Sequence, residues 1–230
     1  MRVFASLAIF GLFLCAGCSI LIIPPHLQSE NYTDTVRVAC VGDSITYGSG
    51  VENREMNNYP AVLGSLLGPK FETKNFGVSG ATLLKKGDNP YWNMEAFTTV
   101  DKYEPDAVVI KLGTNDSKPQ NWRYGADFED DLRAMIDHFQ ALPSHPHIWL
   151  CLPVPVYQTQ WGINNAVVKG EIIPKIQKVA KERKLPVINL FSALKKKPEM
   201  FPDKVHPNAA GARVIAETVY TALTGSPTSK

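Results

Sequence analysis

Residues 38–50 read VACVGDSITYGSG, an apolar run that ends in Gly42, Asp43 and Ser44. Serine is a weak nucleophile at neutral pH and becomes reactive only with a base in hydrogen-bond reach. Three readings fit the triplet. Gly, Asp and Ser are all turn formers; a glycine after a strand can open a phosphate-cradling loop; and a strand end can present a nucleophilic serine. Far along the chain, DKVHPN (203–208) spaces Asp203 and His206 by three. Such a pair can be a base with its orienting carboxylate, an exposed loop pair, or part of a metal site. The pieces GVSGAT (77–82) and GTND (113–116) likewise follow apolar or β-branched runs.

These pieces have to be positioned by regular elements. VRVACV (36–41), FETKNF (71–76), AVVIKL (107–112), HIWLCL (147–152) and PVINL (186–190) read as strands. Helical patterns fall near 59–67, 93–103, 127–142 and 165–183, with a closing helix near 208–223. Phe128, Leu132, Met135, Ile136 and Phe139 recur at spacings of three and four, which predicts one buried stripe. Acidic residues crowd the start of that helix, where the dipole favours them. Pro60 and Pro207 stand where a first helical turn tolerates proline. Strand–helix alternation predicts an α/β fold with a parallel sheet covered on both faces. In such sheets the reactive crevice lies beyond the carboxyl ends of the strands. Every chemically suggestive piece named above sits at such an end.

Four pieces in this order are hard to explain as turns. Together GDSIT, NFGVSG, GTND and DKVHP closely resemble the signature blocks of the SGNH, or GDSL, hydrolases, a family of serine esterases. The resemblance runs from about Val36 to the last helix. It implies a three-layer α/β/α sandwich, flavodoxin-like, around about five parallel strands. It implies Ser44 as nucleophile, His206 as the base that takes its proton and returns it to the leaving alcohol, and Asp203 as the group that holds the imidazole tautomer. It further assigns the oxyanion hole to the backbone N–H groups of Ser44 and Gly80 and to the side-chain amide of Asn115. No metal or organic cofactor is expected.

Competing readings of single residues stand beside this one. Asn115 and Gly80 alone are ordinary turn residues, and Asp43 and Asp116 read as carboxylates bracing their loops. HPH (145–147) lacks an apparent third metal ligand and is expected to lead into a strand. A phosphate loop fails because no lysine follows and the glycine spacing differs from G-x-x-x-x-G-K-[ST]. A serine so near the start of the domain also differs from the G-x-S-x-G elbow. Cys40 and Cys151 are expected as buried thiols, not as a disulfide.

Composition narrows the partners. The chain has 230 residues and a net charge of +2, with no basic face interleaved with aromatics, which argues against nucleic acid. Trp92, Trp122, Tyr157 and Trp161 lie in polar loops predicted near the site and are candidate platforms for a sugar face. Together with the absence of a long apolar lid segment, they favour an O-acetylated glycan over a lipid. Lysophospholipase or thioesterase activity, or an inactive glycan-binding module, are the alternatives.

Residues 3–23 carry no charge and follow Arg2, which predicts a secretory leader or an anchor over residues 1–23. Within it LCAGCS resembles a lipobox with Cys18 as the lipidated residue. Cys15 and the following ILII depart from that pattern. Residues 24–35 are expected to be a linker, 36–224 the hydrolase domain, and 225–230 a tail. The expected location is extracytoplasmic, with membrane contact only through the N-terminus.

Overall fold

The computed structural model describes residues 26–228; the predicted leader and Cys18 lie outside them. Five strands, β1 (Val36–Gly42), β2 (Phe71–Gly77), β3 (Ala107–Lys111), β4 (His147–Leu152) and β5 (Val187–Asn189), form one parallel sheet in the order β2-β1-β3-β4-β5. Each coincides with a predicted strand to within about two residues at either end. Six helices matter for the site and its support: α1 (Ser44–Tyr47), α2 (Tyr59–Leu67), α3 (Glu95–Tyr103), α4 (Phe128–Gln140), α5 (Ile173–Arg183) and α6 (Ala209–Thr224).

Alternation along β1 decides the layers. Ala39 and Val41 face a core built with α3, α4 and α5, whereas Val36, Val38 and Cys40 face a second core built with α2 and α6. The α4 stripe is buried as predicted, with all five apolar residues at 2% exposure or less. Burying a side chain of that kind is worth about 1.5–3 kcal/mol. Asn58 caps α2 by accepting from Ala61 N–H at 3.0 Å, and Asn208 caps α6 through Gly211 N–H at 3.0 Å.

The helix expected over 165–183 is not continuous. A short turn at Asn165–Val167 leads into a π-helical turn, Val168–Ile172, before α5 begins. Pro174 supplies the cause: it has no N–H to give to a carbonyl four residues back, and its ring crowds that position, so the ladder widens there. The segment expected to be a linker is also not free along its length. Leu27 is 4% exposed in the second core, and its N–H bonds the Leu223 carbonyl at 2.7 Å. Cys40 and Cys151 are buried, unpaired thiols, and burial pushes Cys40 up to about 12.

Register positions the site. Gly42 pairs with Gly77 on one side and with Lys111 on the other, so β2, β1 and β3 stop at the same level. The loops carrying Ser44, Gly80 and Asn115 therefore leave the sheet from three adjacent strand ends.

Candidate active site

The turn that carries Ser44 begins one residue after β1. Asp43 caps it, its Oδ1 accepting from Ile45 N–H at 2.9 Å. Asn75 ties the far end of α1 to β2 by donating to the Thr46 carbonyl at 2.8 Å. The approach there is close enough to demand glycine: a Cβ on Gly77 would lie 2.2 Å from Tyr47 N. The result is a serine held at 6% exposure on a rigid corner.

His206 reaches that serine from the other end of the chain. Its Nε2 lies 2.9 Å from Ser44 Oγ, and its Nδ1 lies 2.7 Å from Asp203 Oδ2. The second Asp203 oxygen accepts from the N–H groups of Val205, at 2.9 Å, and His206, at 2.6 Å. Burial raises the Asp203 carboxyl, but the hydrogen bonds from His206 and Val205 and the imidazole charge outweigh it and hold the group below its ordinary value. An ionised carboxylate on Nδ1–H leaves Nε2 as the acceptor facing Ser44, the arrangement a general base requires.

The candidate oxyanion donors are tied to the same corner. Gly80 has φ +83°, a conformation that favours glycine. Ser79, its neighbour, shares a 3.0 Å hydroxyl contact with Ser49, whose N–H bonds the Ser44 carbonyl at 2.9 Å. Asn115 is 3% exposed and its Nδ2 donates to Ala81 O at 3.1 Å, linking the loop after β3 to the loop after β2. Among the described residues, the N–H groups of Ser44 and Gly80 have no protein acceptor. Asp116 braces the second loop from below, accepting from Leu83 and Leu84 N–H at 3.1 and 2.8 Å.

The four aromatic residues proposed as sugar platforms separate sharply. Trp161 is 60% exposed, with its ring centroid 5.5 Å from that of His206. Its φ of +50° is strained for a tryptophan, and strain of this kind concentrates at functional sites. The other three are half-buried and held by contacts within the protein. Trp92 donates to Leu83 O at 2.8 Å and packs on Phe97; Trp122 donates to Glu171 Oε2 at 2.8 Å and packs edge-on to Phe128. Tyr157 bonds Leu194 O, accepts from Lys197 N–H at 3.0 Å and packs on Phe201, while its own N–H bonds Lys204 O at 2.9 Å. Its ring thus lies against residues 194–201, and its backbone N–H ties it to the turn that carries Asp203 and His206. Loop aromatics look alike in sequence because only the fold decides which ring finds a core to cover.

Sequence reasoning also missed Lys111. It closes the apolar run of β3, is fully buried, and places Nζ 2.9 Å from both oxygens of Asp43. The available signal was a lysine inside a central strand, a position that demands a buried counter-charge. Asn121 was missed as well: its amide donates to Asn115 O and to Asp88 Oδ1, each at 2.9 Å. The residues of HPH form no metal cluster, and no group of three or more His, Cys, Asp or Glu among the described residues could hold a metal ion.

Residues 40–214 match the family model for GDSL-like lipases and acylhydrolases. The chain belongs to that family. Among similar sequences, an acetylxylan esterase of Xylanibacter ruminicola is 43% identical over 208 residues, covering 83% of this chain and 43% of the relative. A multidomain esterase of Ruminococcus flavefaciens is 24% identical, covering 84% of this chain and 29% of the relative. The chain thus spans less than half the length of these curated relatives. Among solved structures, an aryl esterase of M. smegmatis superposes with a TM-score of 0.65 at 20% identity, covering 82% of this chain and 100% of the other. A carbohydrate acetylesterase from Sinorhizobium meliloti does so with a TM-score of 0.63 at 16% identity, covering 80% and 96%. These structural likenesses establish this GDSL-family member's fold: a five-stranded parallel sheet between helical layers.

Proposed function

We propose that this domain is a serine esterase that removes O-acetyl groups from a carbohydrate, with acetylated xylan as the leading substrate class. The observation that carries the reading is the unbroken line Asp203–His206–Ser44, with contacts of 2.7 and 2.9 Å. As Ser44 Oγ bonds to the acyl carbon, its proton passes to His206 Nε2, and the carbonyl π pair moves onto oxygen. The N–H groups of Ser44 and Gly80 and the amide of Asn115 receive that negative charge. Collapse breaks the bond to the sugar oxygen, which leaves with the proton from His206. Water, deprotonated by the same imidazole, then attacks the acetyl-Ser44 ester, releasing acetate and restoring the hydroxyl.

Similarity to an acetylxylan esterase supports the substrate class. So does Trp161, an exposed flat ring beside the base that offers a surface for a sugar face. The uncharged run at 3–23 supports an extracytoplasmic location with attachment through Cys18. Among the described residues, no helix is long and apolar enough to cross a membrane.

Acetate released from a panel of acetylated xylan, pectin and sialosides tests the reading, with Ser44→Ala as control. Release from xylan by the wild type that vanishes in Ser44→Ala is the expected result. Preference for long-chain acyl esters, or no hydrolysis of any ester, would overturn it. Mass spectrometry of the membrane fraction tests the attachment; a peptide retaining an unmodified Cys18 argues against lipidation.

A further inference from the structure

Among the described residues, Lys111 is the one cation that is fully buried, and it lies directly beneath the Ser44 turn. Its ammonium touches three oxygens: Oδ1 and Oδ2 of Asp43, both at 2.9 Å, and Thr114 Oγ1 at 2.8 Å. All three groups are at 1% exposure or less. Asp43 spends Oδ1 twice, on Lys111 and on the Ile45 N–H that follows the serine. Thr114 directly precedes Asn115. One buried ammonium therefore joins the corner that presents the nucleophile to the loop that carries the candidate amide donor.

We propose that Lys111 is a positioning residue for the nucleophile, pairing with the Asp43 carboxylate and fixing it in place so that its cap sets the direction of Ser44. This rests on Ser44 acting as nucleophile of an ester hydrolase, as set out above. A carboxylate removed from water without a counter-charge takes up a proton or turns back toward solvent. Either change loosens the bond to Ile45 N–H and lets the serine corner drift. Asp116 adds a second fully buried carboxyl one residue beyond Asn115; burial raises its pKa, and the Asp43 charge adds to that rise. Without Lys111 the floor of the site would hold two carboxyls and no cation. A buried ion pair seldom improves stability over an apolar pair of equal volume. Its placement under the reactive corner is better explained by geometry than by stability.

The test compares wild type, Ser44→Ala, Lys111→Met and the neutral pair Asp43→Asn/Lys111→Met. Three quantities are read: kcat and KM on a chromogenic acetate ester, the rate of irreversible labelling by a fluorophosphonate, and thermal unfolding by circular dichroism. In Lys111→Met, kcat is expected to fall on the order of a hundredfold, with KM within about threefold, because misplacement acts on the reacting geometry. Labelling slows in parallel. The double variant keeps an amide oxygen at position 43 for Ile45 N–H and regains at least about tenfold of the loss, which only relief of an unpaired charge explains.

A folded Lys111→Met with kcat within about threefold of wild type overturns the proposal. So does a rise in KM alone, or a folded double variant no faster than the single one. If the single variant does not fold, the double one decides: a kcat above about a tenth of wild type supports the role, and anything lower overturns it. The two readings fail separately. An active wild type with an unaffected Lys111→Met sinks only the lysine, whereas a wild type that neither hydrolyses nor is labelled at Ser44 removes the esterase reading and the lysine's role with it.

Discussion

His206 Nε2 meets Ser44 Oγ at 2.9 Å across 162 positions of sequence. The two residues sit on opposite ends of the domain's chain, one after the first strand and one before the last helix, so a single contact joins the start of the fold to its close. Replacing His206 by Ala is expected to lower kcat at least about a thousandfold, since the serine loses its base. Asp203→Asn is expected to lower kcat about a hundredfold or more, through the wrong imidazole tautomer. Steady-state rates on a chromogenic acetate ester check both. An Asp203→Asn enzyme as fast as wild type would show that the carboxylate is only structural.

Asn115 is expected to act chiefly on kcat. Its Nδ2 already holds Ala81 O at 3.1 Å, leaving one amide hydrogen for a substrate oxygen. Asn115→Ala should cost about a hundred- to a thousandfold in kcat. If only KM changes, the amide contributes to ground-state binding and is not an oxyanion donor.

Trp161 and Trp92 should respond in opposite ways. Trp161 is exposed at 60%, so Trp161→Ala is expected to leave stability within about 0.5 kcal/mol. Its KM on acetylated xylan should rise about tenfold while a small acetate ester is hydrolysed normally. Trp92 packs on Phe97 and bonds Leu83 O at 2.8 Å, so Trp92→Ala is expected to cost about 3 kcal/mol in unfolding free energy. Denaturant melts and paired substrate assays distinguish the two. Equal behaviour of both variants on both readouts would contradict the division of roles.

Two carboxyls impose opposite slopes of stability on pH. Burial pushes Asp116 up to about 7, against the pull of the Leu83 and Leu84 N–H groups. The folded state then keeps a proton that the unfolded chain releases near 3.8. Stability therefore falls as pH rises from about 4 to 7, by at most about 4 kcal/mol at about 1.4 kcal/mol per pH unit, and is level above that. Asp116→Asn should flatten this decline. Asp203 is held below its ordinary value, so its contribution is present above 3.8 and is lost as pH falls through the lowered folded value. Asp203→Asn should remove that acidic loss. Thermal unfolding of the three proteins from pH 3 to 8 measures both; a wild-type curve rising from pH 4 to 7, unchanged in Asp116→Asn, would contradict the first.

Strand positions, the α4 stripe, and the placing of Ser44, Gly80 and Asn115 just beyond strand ends were legible in the sequence. Each is written in local periodicity, β-branching and turn chemistry, which act over a few residues. His206, by contrast, stands a helix and a turn beyond β5, directly ahead of α6. The break at 168–172 was in principle legible too, because Pro174 carries its cause. Other features belong to the tertiary structure alone. That β2, β1 and β3 end level, that Lys111 finds Asp43 across 68 positions, and that Trp161 stays open while Trp92, Trp122 and Tyr157 cover cores all depend on which remote groups meet. A charge or a ring takes its role from the neighbours that share its burial, and distant neighbours of that kind leave no local pattern in one chain to read.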